Sequence, residues 1–595
     1  MKNFFTVFFS SLLGVIISLV LVGLIFTLAV TSVLHQTIGG RDELAQEIKK
    51  NSVLFLDLSS EVNERSSSNP FQSLDFSGGE KQTLDVILMN LKNACSDSDI
   101  KGVYLKLGGG MEAGFATIEE IRNALLDFRK TGKFVVAYAE QYSQKAYYLA
   151  TCSDKIFLNP QGGMDWKGLS AQIMFFKNAL EKMDVEVQVF RHGKFKSAVE
   201  PFFLDKMSAS NREQTEVFLN SIWKTMISGV SKSRGVSEED LNLMADRLVV
   251  RNAQDALNKK LVDDLKYEDE VQLFIKQKLS LNESDKISIV KMVKYKKAMK
   301  RKFNEGEESD AKVAIIYAVG EIESGQGDDN TIGSDRIAKA ICDARLDSTI
   351  KAIVLRVNSP GGSALASDIM WREVTLARKA KPFVVSMGDV AASGGYYISC
   401  AADYIFAHPN TITGSIGVFG IMPNAQRLLS QKLGITIDTV NTNKHSDLGT
   451  MFRPVSAEES EYMQHGVEDV YQVFISRVAD GRKITTADVD SVGQGRVWSG
   501  SDAVGIKLVD ELGGLEKAIS FAASKAGLKS DEYGLVAFPK KVNPIEKFLS
   551  NAGSDLESKL LREKIGGQAK MLQALQYLIR VKGVQARLPF ETLIY

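Results

Sequence analysis

The pattern of apolar and polar positions divides the chain into one long apolar start and a body of short apolar runs. No Asp, Glu, Lys or Arg occurs from Asn3 to Gly40. The apolar stretch over residues 7–34 exceeds the roughly 20 residues that cross a hydrocarbon core. A cleaved signal peptide has a shorter apolar region and an Ala-x-Ala type exit, and neither is present. The pattern therefore predicts a retained N-terminal transmembrane anchor over residues 1–36.

Beyond the anchor, short apolar runs alternate with stretches of helical periodicity. In the later half of the chain, residues 313–317 and 352–357 have the pattern of buried strands. Helical patterns follow them over residues 334–343 and 364–380. A β-α-β-α order favours parallel sheet with helices packed on its faces, so the fold class expected for the body is α/β.

The body is also internally repeated, which predicts two domains of the same fold. Three segments of the first half recur in the second half at offsets of 249, 250 and 247 residues. The matching segments begin at Phe134 and Phe383, at Ile100 and Ile350, and at Lys260 and Lys507. We place the first repeat at residues 52–275 and the second at 312–528. A charged linker over 276–311 joins them, and a helical tail over 529–595 follows.

Composition excludes several classes of function. The 595 residues include 73 basic and 73 acidic side chains, so the net charge is zero and no nucleic-acid partner is expected. The four cysteines are far apart and form no CxxC pair, which argues against a metal site or a disulfide framework. We expect no metal and no cofactor. The lysine-rich stretch over 291–302 is interpreted as a solvated linker rather than a site for anionic lipid, because acidic residues follow at once.

The segment from Phe383 to Tyr397 is the strongest candidate for chemistry. Its apolar start is typical of a buried strand, a glycine interrupts it, and a helix is expected from Ala391 onward. Ser393 then falls in the first turn of that helix, where free N–H groups and the positive end of the helix dipole gather. A hydroxyl in that place is suited to attack a carbonyl group. The alternative is a close-packed helix start made only of small residues.

The two repeats differ where the chemistry is expected. Ser393 aligns with Gln144 and Gly394 aligns with Lys145, so the first repeat lacks the hydroxyl. The second repeat also has a Pro-Gly-Gly turn, containing Gly361, that lets the backbone approach a ligand closely. The N–H groups of Gly361 and Gly394 are therefore candidates for an oxyanion hole, and a plain turn is the alternative.

A serine nucleophile needs a base, and the sequence offers a lysine rather than a histidine. None of the five histidines is paired with an Asp in a way that suggests a Ser-His-Asp triad. A buried lysine can act as a base when its pKa falls from about 10.4 toward neutrality. Lys196 follows an alternating strand over 185–190 and has no aligned lysine in the second repeat. This complementarity predicts one composite site between the repeats. Lys444 remains a rival base, a surface lysine is the alternative for Lys196, and a part for His192 stays open.

At these residues the chain resembles the long-form signal peptide peptidase A family, also called protease IV. The resemblance covers the anchor and both repeats in their order. It rests on four motifs, which are Phe195-Lys-Ser-Ala-Val-Glu-Pro-Phe, Asn358-Ser-Pro-Gly-Gly, Asp389-Val-Ala-Ala-Ser-Gly-Gly-Tyr-Tyr and Ile412-Thr-Gly-Ser-Ile-Gly-Val-Phe-Gly.

The resemblance implies a crotonase- or Clp-like fold in each repeat and a serine endopeptidase with a Ser–Lys dyad. Ser393 would be the nucleophile and Lys196 the general base. Gly394 and Gly361 would supply oxyanion N–H groups, and Ser415 would orient the lysine. The resemblance also implies a homotetramer held by a single-pass anchor on the periplasmic face of the bacterial inner membrane. Its substrates would be cleaved signal peptides and other hydrophobic peptides.

Two other functions share parts of this pattern. A crotonase-like enzyme acting on acyl-CoA thioesters would have the same fold and oxyanion hole, but it would need no nucleophilic serine. A non-catalytic membrane scaffold would present peptides or bind partner proteins. The division of Ser393 and Lys196 between the two repeats favours the endopeptidase.

Overall fold

The computed structural model of the protein describes most of both repeats. The described residues are 48–65, 82–108, 110–292, 294–295, 310–529, 532–540, 584–588 and 593–594, with a few positions between 13 and 24. Most of the expected anchor over residues 1–36 lies outside them. Within the described part of the chain, no helix combines the length and the apolar character needed to cross a membrane.

Many of the helices are amphipathic segments with recognisable ends. Ser363 caps one of them by accepting the N–H of Ala366, and Lys381, extended before Pro382, ends it where the sequence predicts. The helices are α1 (Leu84–Ser96), α2 (Phe115–Lys130), α3 (Gln144–Ala150), α4 (Lys177–Lys182), α5 (Glu200–Phe203), α6 (Ala209–Arg234), α7 (Glu238–Asp246), α8 (Ala253–Asn258), α9 (Glu268–Lys278), α10 (Ser334–Leu346), α11 (Ala364–Ala380), α12 (Gly394–Ser399), α13 (Ala457–Arg482), α14 (Thr486–Val492), α15 (Gly500–Gly505) and α16 (Leu515–Lys525). A 3₁₀ turn covers Ser197–Val199 and a π-helical turn covers Leu428–Lys432.

The first repeat is built on a six-stranded parallel sheet. The strands of the first repeat, in chain order, are β1 (Ser52–Asp57), β2 (Ile100–Leu107), β3 (Phe134–Tyr142), β4 (Lys155–Met164), β5 (Ala171–Gln172), β6 (Glu186–Arg191), β7 (Asp264–Leu265) and β8 (Ile289–Lys291). Six of them form the sheet, and β5 and β6 pair elsewhere. The sheet order is β7-β4-β3-β2-β1-β8, and each of these pairs is parallel. Helices cover the strands, as expected for apolar runs that are buried on both faces.

The second repeat has the same plan. Its strands are β9 (Lys312–Val319), β10 (Glu321–Glu323), β11 (Thr331–Gly333), β12 (Ile350–Ser359), β13 (Gly361–Ser363), β14 (Phe383–Ala392), β15 (Tyr404–Ala407), β16 (Ile412–Gly414), β17 (Phe419–Asn424), β18 (Val497–Ser499), β19 (Glu511–Leu512) and β20 (Gly534–Phe538). The sheet order is β18-β16-β14-β12-β9-β20, with β15 paired to β14 and β19 paired to β15. The prediction of a mixed α/β fold with two repeats is confirmed, and the 26-residue helices α6 and α13 correspond in the two copies.

A third sheet joins the two repeats and carries the part of the fold that positions the site. Its order is β11-β10-β13-β21-β17-β6, where β21 covers Gln585–Arg587 near the end of the chain. Strand β6 of the first repeat pairs antiparallel with β17 of the second, which sets Arg191 opposite Phe419. The loop that follows β6 therefore packs against the second repeat. A final strand, β22 (Leu593–Ile594), pairs with β5.

Buried polar contacts lock the repeats together away from this sheet. Asp389 of the second repeat accepts the N–H and the hydroxyl of Thr117 at 2.9 and 2.6 Å, at the start of helix α2. Arg356 of the second repeat is fully buried and contacts Glu64 at 2.9 Å and Glu120 at 2.7 Å, both in the first repeat. An arginine surrounded in this way holds the relative position of the two halves.

The sheets extend past two of the expected domain boundaries. Strand β8 pairs with β1, and Tyr295 is buried, so the first repeat continues beyond residue 275. Strand β20 pairs with β9, so the second repeat continues beyond residue 528. These strands are too short for a period of two to stand out in the sequence. The described part of the expected helical tail contains strands, and the rest of the tail lies outside the described residues.

Candidate active site

Ser393 lies at the junction between strand β14 and helix α12. It is the residue before the helix rather than in its first turn, and its φ of 55° and ψ of −113° are unusual for a side chain other than glycine. Its N–H donates to the carbonyl of Gly414 at 2.8 Å, and its carbonyl accepts the N–H of Tyr397. A non-glycine residue held in a sparsely populated conformation between rigid elements is a frequent feature of functional sites.

Lys196 reaches the same place from the first repeat. The loop after β6 is fixed to the second repeat, because the N–H of Phe195 donates to the carbonyl of Gln494 at 3.0 Å. Gly495 lies directly against Lys196, and a Cβ on this glycine would be 2.6 Å from the Cα of the lysine. Gly495 also has a φ of +83°, so both its conformation and its contact require glycine here.

The lysine amine and the serine hydroxyl are in hydrogen-bond contact. Lys196 Nζ lies 2.8 Å from Ser393 Oγ, 3.1 Å from Ser415 Oγ and 3.2 Å from the Ser415 carbonyl oxygen. A neutral amine has two N–H donors and one lone pair. Because Ser415 offers two acceptors, it can take both donors and leave the lone pair for the hydroxyl proton of Ser393.

Burial controls the charge of this lysine. Lys196, Ser393 and Ser415 each have 0% exposed surface. Burial holds the pKa of Lys196 well below its ordinary value, because the charged amine would lose its hydration. No carboxylate in the described part of the chain contacts Nζ to oppose this effect. The site therefore favours an amine that is ready to accept a proton.

Ser415 has a constrained position of its own. Its φ is 48°, its N–H donates to the carbonyl of Arg496 at 2.6 Å, and its hydroxyl contacts the carbonyl of Gly495 at 3.3 Å. These contacts fix the hydroxyl beside Lys196. The structure thus brings together Ser393, Lys196 and Ser415, three of the five residues that the sequence singled out.

The remaining two, Gly361 and Gly394, lie next to each other near the serine. A Cβ built on Gly361 would be 2.7 Å from the nitrogen of Gly394, and Gly361 has a φ of +96°. The N–H of Gly361 donates to Ser359 Oγ at 3.1 Å, so an incoming oxyanion would share or replace that acceptor. The role of these two N–H groups stays a prediction.

One part of the site was not identified from the sequence, and that is the C-terminal segment. Strand β21 pairs antiparallel with β13 and β17, and the carbonyl oxygen of Ala586 lies 2.2 Å and 3.0 Å from Cβ positions built on Gly361 and Gly394. Ala586 is completely buried, and Arg587 forms an ion pair with Glu321. A three-residue strand carries no periodic signal, so pattern analysis could not have found this placement.

The other candidate bases lie elsewhere. Lys444 pairs with Glu458 at 2.5 Å and its side chain is 69% exposed, so its environment is that of a surface lysine. His192 Nδ1 lies 2.5 Å from Glu468, and its ring stacks on Tyr471 at 3.7 Å. Within the described residues, no cluster of three or more His, Cys, Asp or Glu side chains could hold a metal ion.

Comparison with known proteins places this geometry in context. Residues 127–282 and 375–529 match peptidase family S49. Protease 4 of Salmonella typhi is 38% identical over 76% of this chain and 73% of its own length. The chloroplastic serine protease SPPA of Arabidopsis thaliana is 34% identical over 91% of this chain and 78% of its own length. Both comparisons extend over most of the two repeats.

Shorter and more distant similarities are also found. A putative signal peptide peptidase SppA of Enterococcus faecium is 38% identical over 29% of this chain and 50% of its own length. The solved structure of the ClpP1 N165D mutant from Listeria monocytogenes is 15% identical and covers 37% of this chain and 99% of its own, with a TM-score of 0.24.

Proposed function

Because the chain belongs to peptidase family S49 and is a serine protease, we propose that Ser393 is its nucleophile and Lys196 its general base. The observation that carries this proposal is the 2.8 Å contact between Lys196 Nζ and Ser393 Oγ, made inside a site with no solvent exposure. The acyl-CoA enzyme and the non-catalytic scaffold are set aside, since the relatives are named as proteases.

The first half of the reaction forms an acyl-enzyme. Neutral Lys196 accepts the hydroxyl proton of Ser393 as Oγ attacks the scissile carbonyl carbon. The negative charge that develops on the carbonyl oxygen is stabilised by the N–H groups of Gly394 and Gly361. Protonated Lys196 then donates its proton to the leaving amine, and the peptide bond breaks to leave an ester on Ser393.

The second half of the reaction restores the enzyme. Lys196 is neutral again, so it accepts a proton from a water molecule that attacks the ester. Collapse of the second tetrahedral intermediate returns the proton to Ser393 Oγ and releases the new carboxyl end. Ser415 acts in both halves by accepting the N–H groups of the neutral amine, which keeps the lone pair directed to the reacting proton.

We further propose that the substrates are extended hydrophobic peptides, cleaved signal peptides among them. Support comes from strand β21, because a segment of the chain itself lies extended between β13 and β17 with a carbonyl oxygen against Gly361 and Gly394. Recognition by strand addition uses main-chain hydrogen bonds and pockets for alternate side chains. The small, buried Ala586 in this segment favours a small side chain beside the reacting bond.

The remaining parts of the proposal concern organisation. Each repeat, expected over about 52–275 and 312–528 and extended by strands β8 and β20, is proposed to be a crotonase/Clp-like domain. Residues 1–36 are proposed to anchor the chain in the bacterial inner membrane, with a homotetramer on the periplasmic side. The charge-free stretch from Asn3 to Gly40 supports the anchor. Membrane fractionation of the full chain and of a variant lacking residues 1–36 tests it, and an equal distribution of the two would contradict it.

Covalent labelling tests the chemistry directly. A serine-reactive acylating probe should modify Ser393 in the native protein, and mass spectrometry of the digested adduct identifies the labelled residue. Ser393→Ala should lose the adduct completely. Lys196→Ala should label at least about 100-fold more slowly, because general base catalysis contributes roughly 10²–10⁴-fold. Activity of the native enzyme should also fall as pH drops below the lowered pKa of Lys196.

The matched control is the rival lysine. Lys444→Ala removes an exposed lysine and should label at the native rate. If Lys444→Ala stopped labelling while Lys196→Ala remained active, the base would be Lys444. The prediction of a composite site between the repeats would then be wrong. A labelling rate that stayed constant from about pH 6 to 9 would count against any lysine base.

A further inference from the structure

We propose that Gln214 is a positioning residue for the general base, an inference that rests on the function proposed above. Gln214 lies near the start of helix α6 and is 3% exposed. Its amide nitrogen donates to the Phe195 carbonyl at 3.0 Å and to Ser197 Oγ at 2.9 Å. These two residues flank Lys196 in the chain. One side chain therefore holds the backbone on both sides of the catalytic lysine.

The opposite end of the same amide is bound to the second repeat. Gln214 Oε1 accepts the N–H of Val497 at 3.2 Å. Val497 begins strand β18, which pairs with β16 so that Val497 is opposite Gly414. The carbonyl of Gly414 accepts the N–H of Ser393. A short path of hydrogen bonds thus runs from the lysine loop through Gln214 to the backbone of the nucleophile.

The hydrogen bonds made at position 214 require a glutamine side chain. Its nitrogen must donate to two acceptors, with Asn211 Oδ1 as a third at 3.3 Å, and its oxygen must accept one N–H. Glutamate cannot donate, and asparagine is one methylene shorter. A buried group with donors and an acceptor on one rigid plane fixes the separation of the two loops that it joins.

Charges near the lysine loop are already paired among themselves. Arg191 lies 3.7 Å from Glu200, His192 lies 2.5 Å from Glu468, and Arg496 lies 3.2 Å from Glu213. Lys194 and Arg496 contact the ring of Phe195. Because none of these groups contacts Lys196 Nζ, the packing of the loop determines how far water is excluded from the amine. A looser loop admits water and favours the protonated amine.

The test compares two buried glutamines. Gln214→Met keeps the length of the side chain but removes its hydrogen bonds. Gln144→Met is the matched control, because Gln144 is 6% exposed and binds the backbone of Lys167 and Gly168 at 2.8–2.9 Å without contacting Lys196 or Ser393. We expect kcat of Gln214→Met to fall at least tenfold with KM within about twofold. The acid limb of its kcat/KM profile should move to higher pH, while that of Gln144→Met stays at the native position.

Two further variants keep the proposal testable if Gln214→Met does not fold. Ser197→Ala removes one of the two acceptors and should move the acid limb in the same direction by a smaller amount. Gln214→Glu places a carboxylate near the amine, which favours its charged form and should move the limb further upward. If the three profiles match the native one, or if Gln144→Met shifts equally, Gln214 is only a buried structural residue.

Failure of the role proposed for Gln214 can be distinguished from failure of the proposed Ser–Lys mechanism. If Lys196→Ala retained native activity, the Ser–Lys mechanism would fail, and the part of Gln214 would fail with it. If Lys196→Ala is inactive and the Gln214 variants keep the native pH profile, the mechanism stands and the positioning role alone is overturned.

Discussion

At the scale of single residues, the site depends on a buried amine that has no charged partner among the described residues. Lys196 contacts the hydroxyl groups of Ser393 and Ser415 and a carbonyl oxygen, all of which are uncharged. A charged partner would raise the pKa of the lysine and keep it protonated. Neutral partners let burial lower that pKa instead. The uncharged surroundings therefore suit Lys196 to its proposed role as the base.

A buried neutral lysine should make folding sensitive to pH. Its folded-state pKa is lowered, so between that pKa and about 10.4 the unfolded chain binds one proton more than the folded chain. Stability then rises with pH through this window, by up to about 1.4 kcal/mol per pH unit. Lys196→Met removes the titrating group, and it should be more stable than the native protein at pH 7.

Chemical denaturation of both proteins at several pH values measures this difference. The advantage of Lys196→Met should shrink steadily as the pH approaches about 10. Lys444→Met, at a surface position, serves as the control and should follow the native curve. A constant difference between Lys196→Met and the native protein at every pH would show that Lys196 keeps an ordinary pKa.

The sequence singled out Ser393 and Lys196 as the candidate dyad, but it did not predict their conformations. Comparison of the two repeats revealed that Ser393 and Lys196 each have no counterpart in the other copy, and this signal depends only on residue type. The left-handed φ of Ser393 and Ser415 has no such signal, because serine occupies ordinary conformations at most positions. Tertiary contacts, including the donation from Ser393 N–H to Gly414, impose it.

At the scale of elements, one helix is capped by the other repeat. Helix α2 begins after Gly114, whose lack of a side chain leaves its first N–H groups without a local cap. Asp389 supplies the cap by accepting from Thr117 N and Oγ1, and a Cβ on Gly114 would be 2.0 Å from the Asp389 carboxyl carbon. A negative side chain at this end also complements the helix dipole. The cap lies four residues before Ser393, so it ties the serine strand to the first repeat.

Asp389→Ala should therefore affect both stability and activity. Loss of an N-cap costs about 1 kcal/mol, and here the loss also loosens the contact between repeats. We expect a lower denaturation midpoint together with a several-fold fall in kcat/KM. Ser237→Ala removes an exposed cap of helix α7 and should lower stability without changing kcat/KM. Equal effects of the two variants on kcat/KM would contradict a link between this cap and the site.

Elements with a strong local pattern could be predicted, and pairings between distant segments could not. Helix α11 has the bounds that its pattern indicates, and the alternating run over 185–190 forms strand β6. The sequence gives no sign that β6 pairs with β17, because antiparallel partners more than 200 residues apart share no local feature. This pairing brings Lys196 to Ser393, so the composite site was inferred from residue types alone.

At the scale of the whole molecule, the repeats meet around a buried arginine. Arg356 binds Glu64 and Glu120, and Glu120 also accepts the N–H of Leu515. Burial alone would raise the pKa of Glu120, but Arg356 and His408 hold it at about 2. Burial raises the pKa of Glu64, because Arg356 offsets the lost hydration only in part. One guanidinium thus pairs with two carboxylates that belong to the other repeat.

Arg356→Met tests how much this buried ion pair contributes to stability. Breaking a buried ion pair by removing one partner costs about 3–5 kcal/mol, because the other charges stay buried without compensation. We expect a large fall in the denaturation midpoint and a loss of protease activity as the repeats lose their fixed relation. Lys130→Met removes an exposed pair with Asp127 and should leave the denaturation midpoint close to the native value. A native midpoint for Arg356→Met would show that other contacts hold the repeats.

The duplication and the α/β class could be predicted at this scale, while the interface between copies could not. Repetition at a nearly constant offset is visible in the sequence. The contacts of Arg356 with Glu64 and Glu120 join residues 292 and 236 positions apart. At such separations the sequence alone does not show which charged residues form pairs. The placement of β21 beside β13 is hidden for the same reason.

The distance along the chain between the two proposed catalytic groups has a consequence for the newly made protein. Lys196 precedes Ser393 by 197 residues, and synthesis at about 5–20 residues per second separates their appearance by roughly 10–40 s. During this interval the nascent polypeptide carries the base without the nucleophile. The amine stays hydrated and protonated until the later half closes over it. On the proposed mechanism, hydrolytic activity therefore requires both repeats to be synthesised and folded together.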